Sequence, residues 1–143
     1  MSVVIRPAEQ SDRDRCMELL TMLNEANSGT GMAEIFDQLL DHQRGTVFVA
    51  DEDGTLHGMA SVSYNVAMRY RGEYCQLEEL IVDPEARGKQ VGKLLVQHTI
   101  EAAKKRGCAE YGLYLVESTE HNRPFYEQFG FEVVGSEMRQ PLI

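Results

Sequence analysis

The chain is short of what marks a nucleic-acid binder, a metalloprotein or a membrane protein. Its 14 Lys and Arg stand against 23 Asp and Glu, a net charge of −9. Outside one short segment no basic stripe runs along it, which argues against a polyanionic partner, so no nucleic acid is expected. The acidic balance suits a cationic small substrate better. Cysteine is sparse and odd in number: Cys16, Cys75 and Cys108 share no metal-ligand spacing. They read as free thiols of a reducing compartment, and none has a placed His partner that would make it a nucleophile. His42, His57, His98 and His121 are scattered, so no metal site is expected. Long apolar runs are missing too. Only Val3-Val4-Ile5 precedes Arg6, so neither a signal peptide nor a membrane contact is expected, and the cytoplasm is the expected location. Repeats, linkers and low-complexity tracts are absent. The 143 residues therefore read as one domain, 1–143, long enough to build a core without staples.

What is present is concentrated at Asp83-Pro84-Glu85-Ala86-Arg87-Gly88-Lys89-Gln90-Val91-Gly92-Lys93. It follows the apolar run Leu80-Ile81-Val82 and opens a helical pattern that reaches Arg106. A strand, a short cationic loop and a helix start thus come in succession. A helix start offers unpaired N–H groups and the positive end of the helix dipole to an anion. Gly88 and Gly92 permit close backbone approach, and Arg87, Lys89 and Lys93 add charge. The segment reads as a pyrophosphate cradle. A nucleotide-hydrolysing P-loop, G-x-x-x-x-G-K-S/T, is excluded: three residues separate Gly88 from Gly92, and Leu94 follows Lys93. The G-x-G-x-x-G dinucleotide turn fails at Lys89 and Gln90.

Along the chain, residues 3–7 read as a strand and Ser11 as the cap of a helix carrying Cys16, Leu19, Leu20 and Leu23. A second helix carries Met32, Ile35, Phe36, Leu39 and Leu40. Between them 24–31 reads as a mobile loop beside a substrate site. Strands are expected at 46–50, 56–68 and 74–82, joined by turns at Asp53-Gly54 and Arg71-Gly72. After the long helix, stopped by Gly107, come a strand at 111–116, a helix at 122–129 and strands at 131–134 and 138–142. The helical crossover makes strands 74–82 and 111–116 parallel neighbours. Pattern alone gives a mixed α/β domain with one sheet.

The cradle, preceded by Leu77-Glu78-Glu79-Leu80-Ile81-Val82-Asp83-Pro84, resembles the acyl-CoA loop of the GNAT family, the GCN5-related N-acetyltransferases, whose pattern is Gln/Arg-x-x-Gly-x-Gly/Ala. Gln90 departs from it at the first loop glycine; the reading favoured here turns its side chain to solvent while its N–H still serves. Ile5-Arg6-Pro7-Ala8 with Ser11-Asp12 resembles the family's first strand and helix start. Asn122-Arg123-Pro124-Phe125-Tyr126-Glu127-Gln128-Phe129-Gly130-Phe131 resembles its late helix and following strand. The resemblance covers essentially the whole chain. It implies the GNAT fold, a mixed central sheet flanked by helices (α+β) in the order βααβββαβαββ, with the fourth and fifth strands splayed. It implies acetyl-CoA as co-substrate and no metal. It also implies a pantetheine arm bound along Leu80, Ile81 and Val82, with its phosphates on Arg87, Gly88, Lys89, Gln90, Val91, Gly92 and Lys93. Family members often dimerise through the terminal region, so a homodimer on an edge strand at 138–142 is expected.

Acetyl transfer to an amine needs a base, an oxyanion stabiliser and a proton donor to the thiolate. Glu78 and Glu79 adjoin on the strand before the cradle, where alternate residues face opposite sides, so one of the pair faces a given cleft unless a bulge rotates the chain. Apolar neighbours on both faces would raise a carboxyl pKa, as suits a base. By resemblance to diamine-type members, Glu78 is the closer match to a water-mediated base. Tyr126 matches the family's proton donor, and Asn122, one turn earlier, either caps its helix or bonds the pantetheine amides. Tyr64, Met68, Tyr70 and Tyr74 are weaker candidates for an acceptor pocket. The function read here is N-acetyl transfer from acetyl-CoA to a primary amine on a small molecule or peptide. A catalytically silent acyl-CoA-binding regulatory module of the same fold is the alternative.

Overall fold

A computed structural model describes residues 2–23 and 31–143. The loop expected at 24–31 lies, but for Gly31, outside them. The chain divides into two compact units, Met1–Leu113 and Tyr114–Ile143. The larger holds five strands in the spatial order of the sequence: β1 (Val4–Pro7), β2 (Gly45–Glu52), β3 (Thr55–Ala67), β4 (Gly72–Val82) and β5 (Tyr111–Leu113). Neighbours are antiparallel except β4 and β5, which run parallel with Cys75 opposite Tyr111. Among the described residues three α-helices accompany the sheet: α1 (Arg13–Leu23), α2 (Met32–Gln38) and α3 (Val91–Arg106).

Local chemistry accounts for the punctuation. Asp53 and Gly54 both have positive φ, 51° and 91°, the conformation that a tight two-residue hairpin demands and that Asp-Gly tolerates. The Gly54 N–H also donates to Asp51 Oδ1 at 2.8 Å. Helix α3 stops at Gly107, φ 89°, with the N–H groups of Gly107 and Cys108 donating back into the last turn behind three basic residues. Helix α1 begins later than expected, and Ser11 does not cap it. The Asp12 carboxylate accepts the Glu9 N–H at 2.8 Å and the Arg6 guanidinium at 2.8 Å, fixing residues 10–12 as a 3-10 turn ahead of the helix. Arg6 holds this nearly buried carboxyl below the usual range.

The sheet has a helix-covered side on each face. Val47, Val49, Leu56, Met59 and Ile81 meet Cys16, Leu19, Leu20 and Phe36 of α1 and α2. By alternation Phe48, Ala50, Ala60 and Val62 face the other way, towards the buried Val91, Leu95, Val96, Thr99 and Ala103 of α3. Gly58 lets α3 sit close: an added methyl would lie 2.7 Å from the Ile81 carbonyl oxygen and 3.0 Å from Val91 Cγ1. No helix of the described residues is long and apolar enough to cross a membrane.

The smaller unit holds a 3-10 helix, Glu117–Asn122, and α4 (Arg123–Glu127). The strands expected at 131–134 and 138–142 are not formed, and β5 ends at Leu113 rather than at 116. An apolar run becomes a strand only on gaining a ladder partner. Val134, Met138 and Leu142 are instead exposed, so the edge strand on which a homodimer was expected is missing.

Candidate active site

Strand β4 leads directly into the cradle. A 3-10 turn, Pro84–Ala86, follows it, with Asp83 Oδ1 accepting the Glu85 N–H at 3.0 Å. Asp83 Oδ2 accepts from Arg15 of α1 at 2.6 Å, and the same guanidinium donates to the Leu56 carbonyl at 3.1 Å. The Glu85 N–H and then Arg15 hold the Asp83 carboxyl below its usual range. Gly88 has φ 86° and Gln90 φ 57°, both left-handed. That strain at Gln90 is a physical reason for glycine at this place, because a side chain there costs roughly 1–2 kcal/mol. The Gln90 side chain is exposed. The first hydrogen bond of α3 runs from Leu94 N–H to the Gln90 carbonyl at 3.0 Å, so the N–H groups of Val91, Gly92 and Lys93 precede the helix's own ladder. Lys89 is paired with Glu52 at 3.1 Å, and Glu52 with His57 at 2.8 Å. Arg87 and Lys93 are exposed and have no ion-pair partner among the described residues. The turn thus offers backbone donors and two uncommitted cations, which fits the phosphates of CoA. Upstream, β5 pairs with β4 only at Cys75, Gln76 and Leu77, leaving the outer edge of residues 78–82 without a strand partner among the described residues.

The register of β4 against β3 changes the reading of the glutamates. Ser61 pairs with Glu79 and Val62 with Leu77, so Glu78 is the extra residue of a β-bulge. The bulge breaks the alternation on which one glutamate was expected to face away from the other. Ser63 Oγ donates to Glu78 Oε2 at 2.6 Å, and Ser61 Oγ donates to Glu79 Oε1. Ser61 and Ser63 are two apart on one strand, so both carboxylates lie on the face that carries α1 and α2. Glu78 is exposed, whereas Glu79 is half-buried. Burial pushes the Glu79 carboxyl up, Ser61 opposes this, and the nearby Glu78 charge adds to it. Glu79 and Ser61 close one end of a cavity of about 500 Å³ between the sheet and α1 and α2, lined also by Met17, Leu20, Met32 and Ile35. The two serines were missed from sequence. Their signal was there, as hydroxyls spaced by two in the otherwise apolar run Ala60–Val62 and its flanks.

In the smaller unit, Tyr126 packs edge-on against Phe125 and Phe131, and Phe125 against Phe129 at 5.2 Å between ring centres. Burial alone pushes the Tyr126 hydroxyl up. Asn122 heads α4, but its side chain makes no capping bond. Tyr64, Met68, Tyr70 and Tyr74 do not line the cavity. Tyr64 bonds Thr46 and lies under Arg106, Tyr70 and Tyr74 stack beneath Arg69, and Met68 is 96% exposed. Burial pushes the Cys16 and Cys75 thiols up to about 12, which denies either the thiolate that a nucleophile needs.

Known proteins carry the same framework. The family model described as Acetyltransferase (GNAT) family matches residues 13–131. A glucosamine 6-phosphate N-acetyltransferase of Trypanosoma brucei brucei is 32% identical over 96% of this chain and 95% of its own. The crystal structure of glucosamine-6-phosphate N-acetyltransferase from Arabidopsis thaliana superposes with a TM-score of 0.81 at 26% identity, covering 100% of both chains. That of a Trypanosoma brucei acetyltransferase gives 0.82 at 28% identity, over 99% of this chain and 100% of the other.

Proposed function

The chain belongs to the GNAT acetyltransferase family and is an N-acetyltransferase; from that premise we propose that it transfers acetyl directly from acetyl-CoA to a primary amine, residues 1–143 acting as one domain. The family match spans both compact units, which supports the single-domain reading. The observation that carries the proposal is the bulge at Glu78. It turns two carboxylates to one face beside a cavity, on a strand that runs into a cationic helix start.

Bound acetyl-CoA supplies the activated thioester. Arg87, Lys93 and the N–H groups of Val91 and Gly92 hold its phosphates, with Gly88, Lys89 and Gln90 shaping the turn. The open edge at Leu80, Ile81 and Val82 bonds the pantetheine amides, and Asn122 is assigned to the same amides by the resemblance to the family alone. Glu79, with its pKa raised by burial, accepts a proton from the substrate ammonium. Ser61 fixes that carboxylate, and the exposed Glu78 relays the proton to solvent. Tyr126 stays protonated at neutral pH and donates to the departing thiolate.

An amine panel read by release of the CoA thiol tests the proposal; no turnover of any amine favours the silent binding module. CoA should raise the melting temperature by mass action, whereas ATP and NAD should not. Arg87→Glu should diminish that shift, and an unchanged shift would sink the cradle assignment. Tyr126→Phe should lower turnover by roughly 10²-fold, the scale of a general acid. Full activity in that variant removes the role.

A further inference from the structure

We propose that the acceptor is a monocationic amine with an apolar body, a linear or branched alkylamine, seated in the cavity between the sheet and α1 and α2. This deepens the acetyl-transfer reading and rests on it. The cavity holds about 500 Å³, and its wall is built from Met17, Leu20, Met32, Ile35, Phe36 and Met59. Three of these are thioethers, flexible side chains that fit irregular alkyl shapes. Among the described residues the polar side chains that line it are Ser61 and two carboxylates, Glu79 on the sheet and the exposed Glu34 on α2. Among the described residues no Lys, Arg or His lines it.

That charge pattern selects. A phosphorylated amino sugar, the substrate named for the Trypanosoma and Arabidopsis relatives, carries a dianion that needs a cationic partner. Here it would meet two carboxylates and a hydrocarbon wall instead. A polyamine brings several further ammonium groups; the exposed Glu34 could pair with one of them at most, and the apolar wall would leave the others desolvated. One ammonium at Glu79 with hydrocarbon behind it satisfies both the charge and the wall.

The test uses propylamine to heptylamine, which share an ammonium pKa and differ only in methylenes. Glucosamine 6-phosphate, spermidine and a short peptide with a free N-terminus complete the panel. In the acetyl-CoA assay kcat/KM should rise about fourfold per added methylene. Ile35 is half-exposed, so Ile35→Ala leaves folding little affected, and it should cost heptylamine more than propylamine. A flat series, or a higher kcat/KM for the sugar phosphate, spermidine or the peptide, overturns the assignment while acetyl transfer stands. Calorimetry of heptylamine binding with CoA present separates the two readings. Binding that Ile35→Ala weakens, without turnover of any amine, upholds the cavity assignment and defeats the transfer reading. Absence of both binding and turnover of heptylamine overturns the cavity assignment.

Discussion

The two faces of the one sheet are built to different standards. Towards α3 the contact is dry and close: Val91, Leu95 and Val96 are at most 1% exposed, and Gly58 removes even a methyl from the approach. The buried polar group Thr99 is fully engaged, donating to the Val96 carbonyl and accepting from the Tyr111 hydroxyl, each at 2.7 Å. Towards α1 and α2 the core is interrupted by a cavity, and the carboxyl at its end is disfavoured by burial. Close packing gives stability, whereas a void and a desolvated acid lose it. The difference teaches that one face carries the fold and the other gives up stability for a site.

Substitutions on each face sharpen or break that contrast. The largest effect is expected at Glu79, where Gln keeps shape and loses the base. Turnover should fall by roughly 10²- to 10⁴-fold at neutral pH, with partial recovery at high pH, where the amine arrives deprotonated. Glu78→Gln should fall less, because that carboxylate relays rather than accepts. The reverse ranking across a pH series would show that Glu78 is the base. On the other face Leu95→Ala should cost about 2–5 kcal/mol in denaturant unfolding, with activity retained by molecules that stay folded. A loss below 1 kcal/mol would mean that the α3 face is not the better packed. The smallest effect is the pH dependence of stability. The Glu79 pKa is raised above the ordinary 4.5 in the folded state, so its favourable contribution is present below that value and lost as pH rises through the folded one. Melting temperatures of Glu79→Gln relative to the parent should therefore move in the variant's favour as pH rises above 4.5. A trend in the opposite direction would show that the carboxylate is stabilised where it sits.

How much of this was legible follows from which interactions are local. The cradle, the Asp53-Gly54 hairpin and the stop at Gly107 are written in contiguous residues whose backbone demands are specific. The parallel pairing of β4 and β5 follows from a helix lying between them. The bulge is different. It exists because Ser61 pairs with Glu79 while Val62 pairs with Leu77, and no pattern within 72–82 reports a register set by another strand. Period-two reading therefore separated the two glutamates that the structure turns to one face. Ser11 failed as a cap because Asp12 binds the Glu9 N–H and the Arg6 guanidinium of the strand just before it, side-chain bonds that the capping pattern does not report. The terminal apolar runs have strand composition without a ladder, and composition cannot supply a partner.

Arg15 has a consequence for redesign. Its guanidinium bonds both the Leu56 carbonyl and the Asp83 carboxylate, whose other oxygen holds the turn before the cradle. Two residues further along the same helix, Met17 lines the cavity proposed for the acceptor. The element that would be exchanged to retarget the acceptor is thus also a tie-rod of the co-substrate turn. A transplanted α1 that lacks an arginine at this position would bring a new pocket wall and slacken the phosphate end at once. The two halves of the site are not separable cassettes, and acceptor choice can drift freely only on the faces of α1 that Arg15 does not occupy.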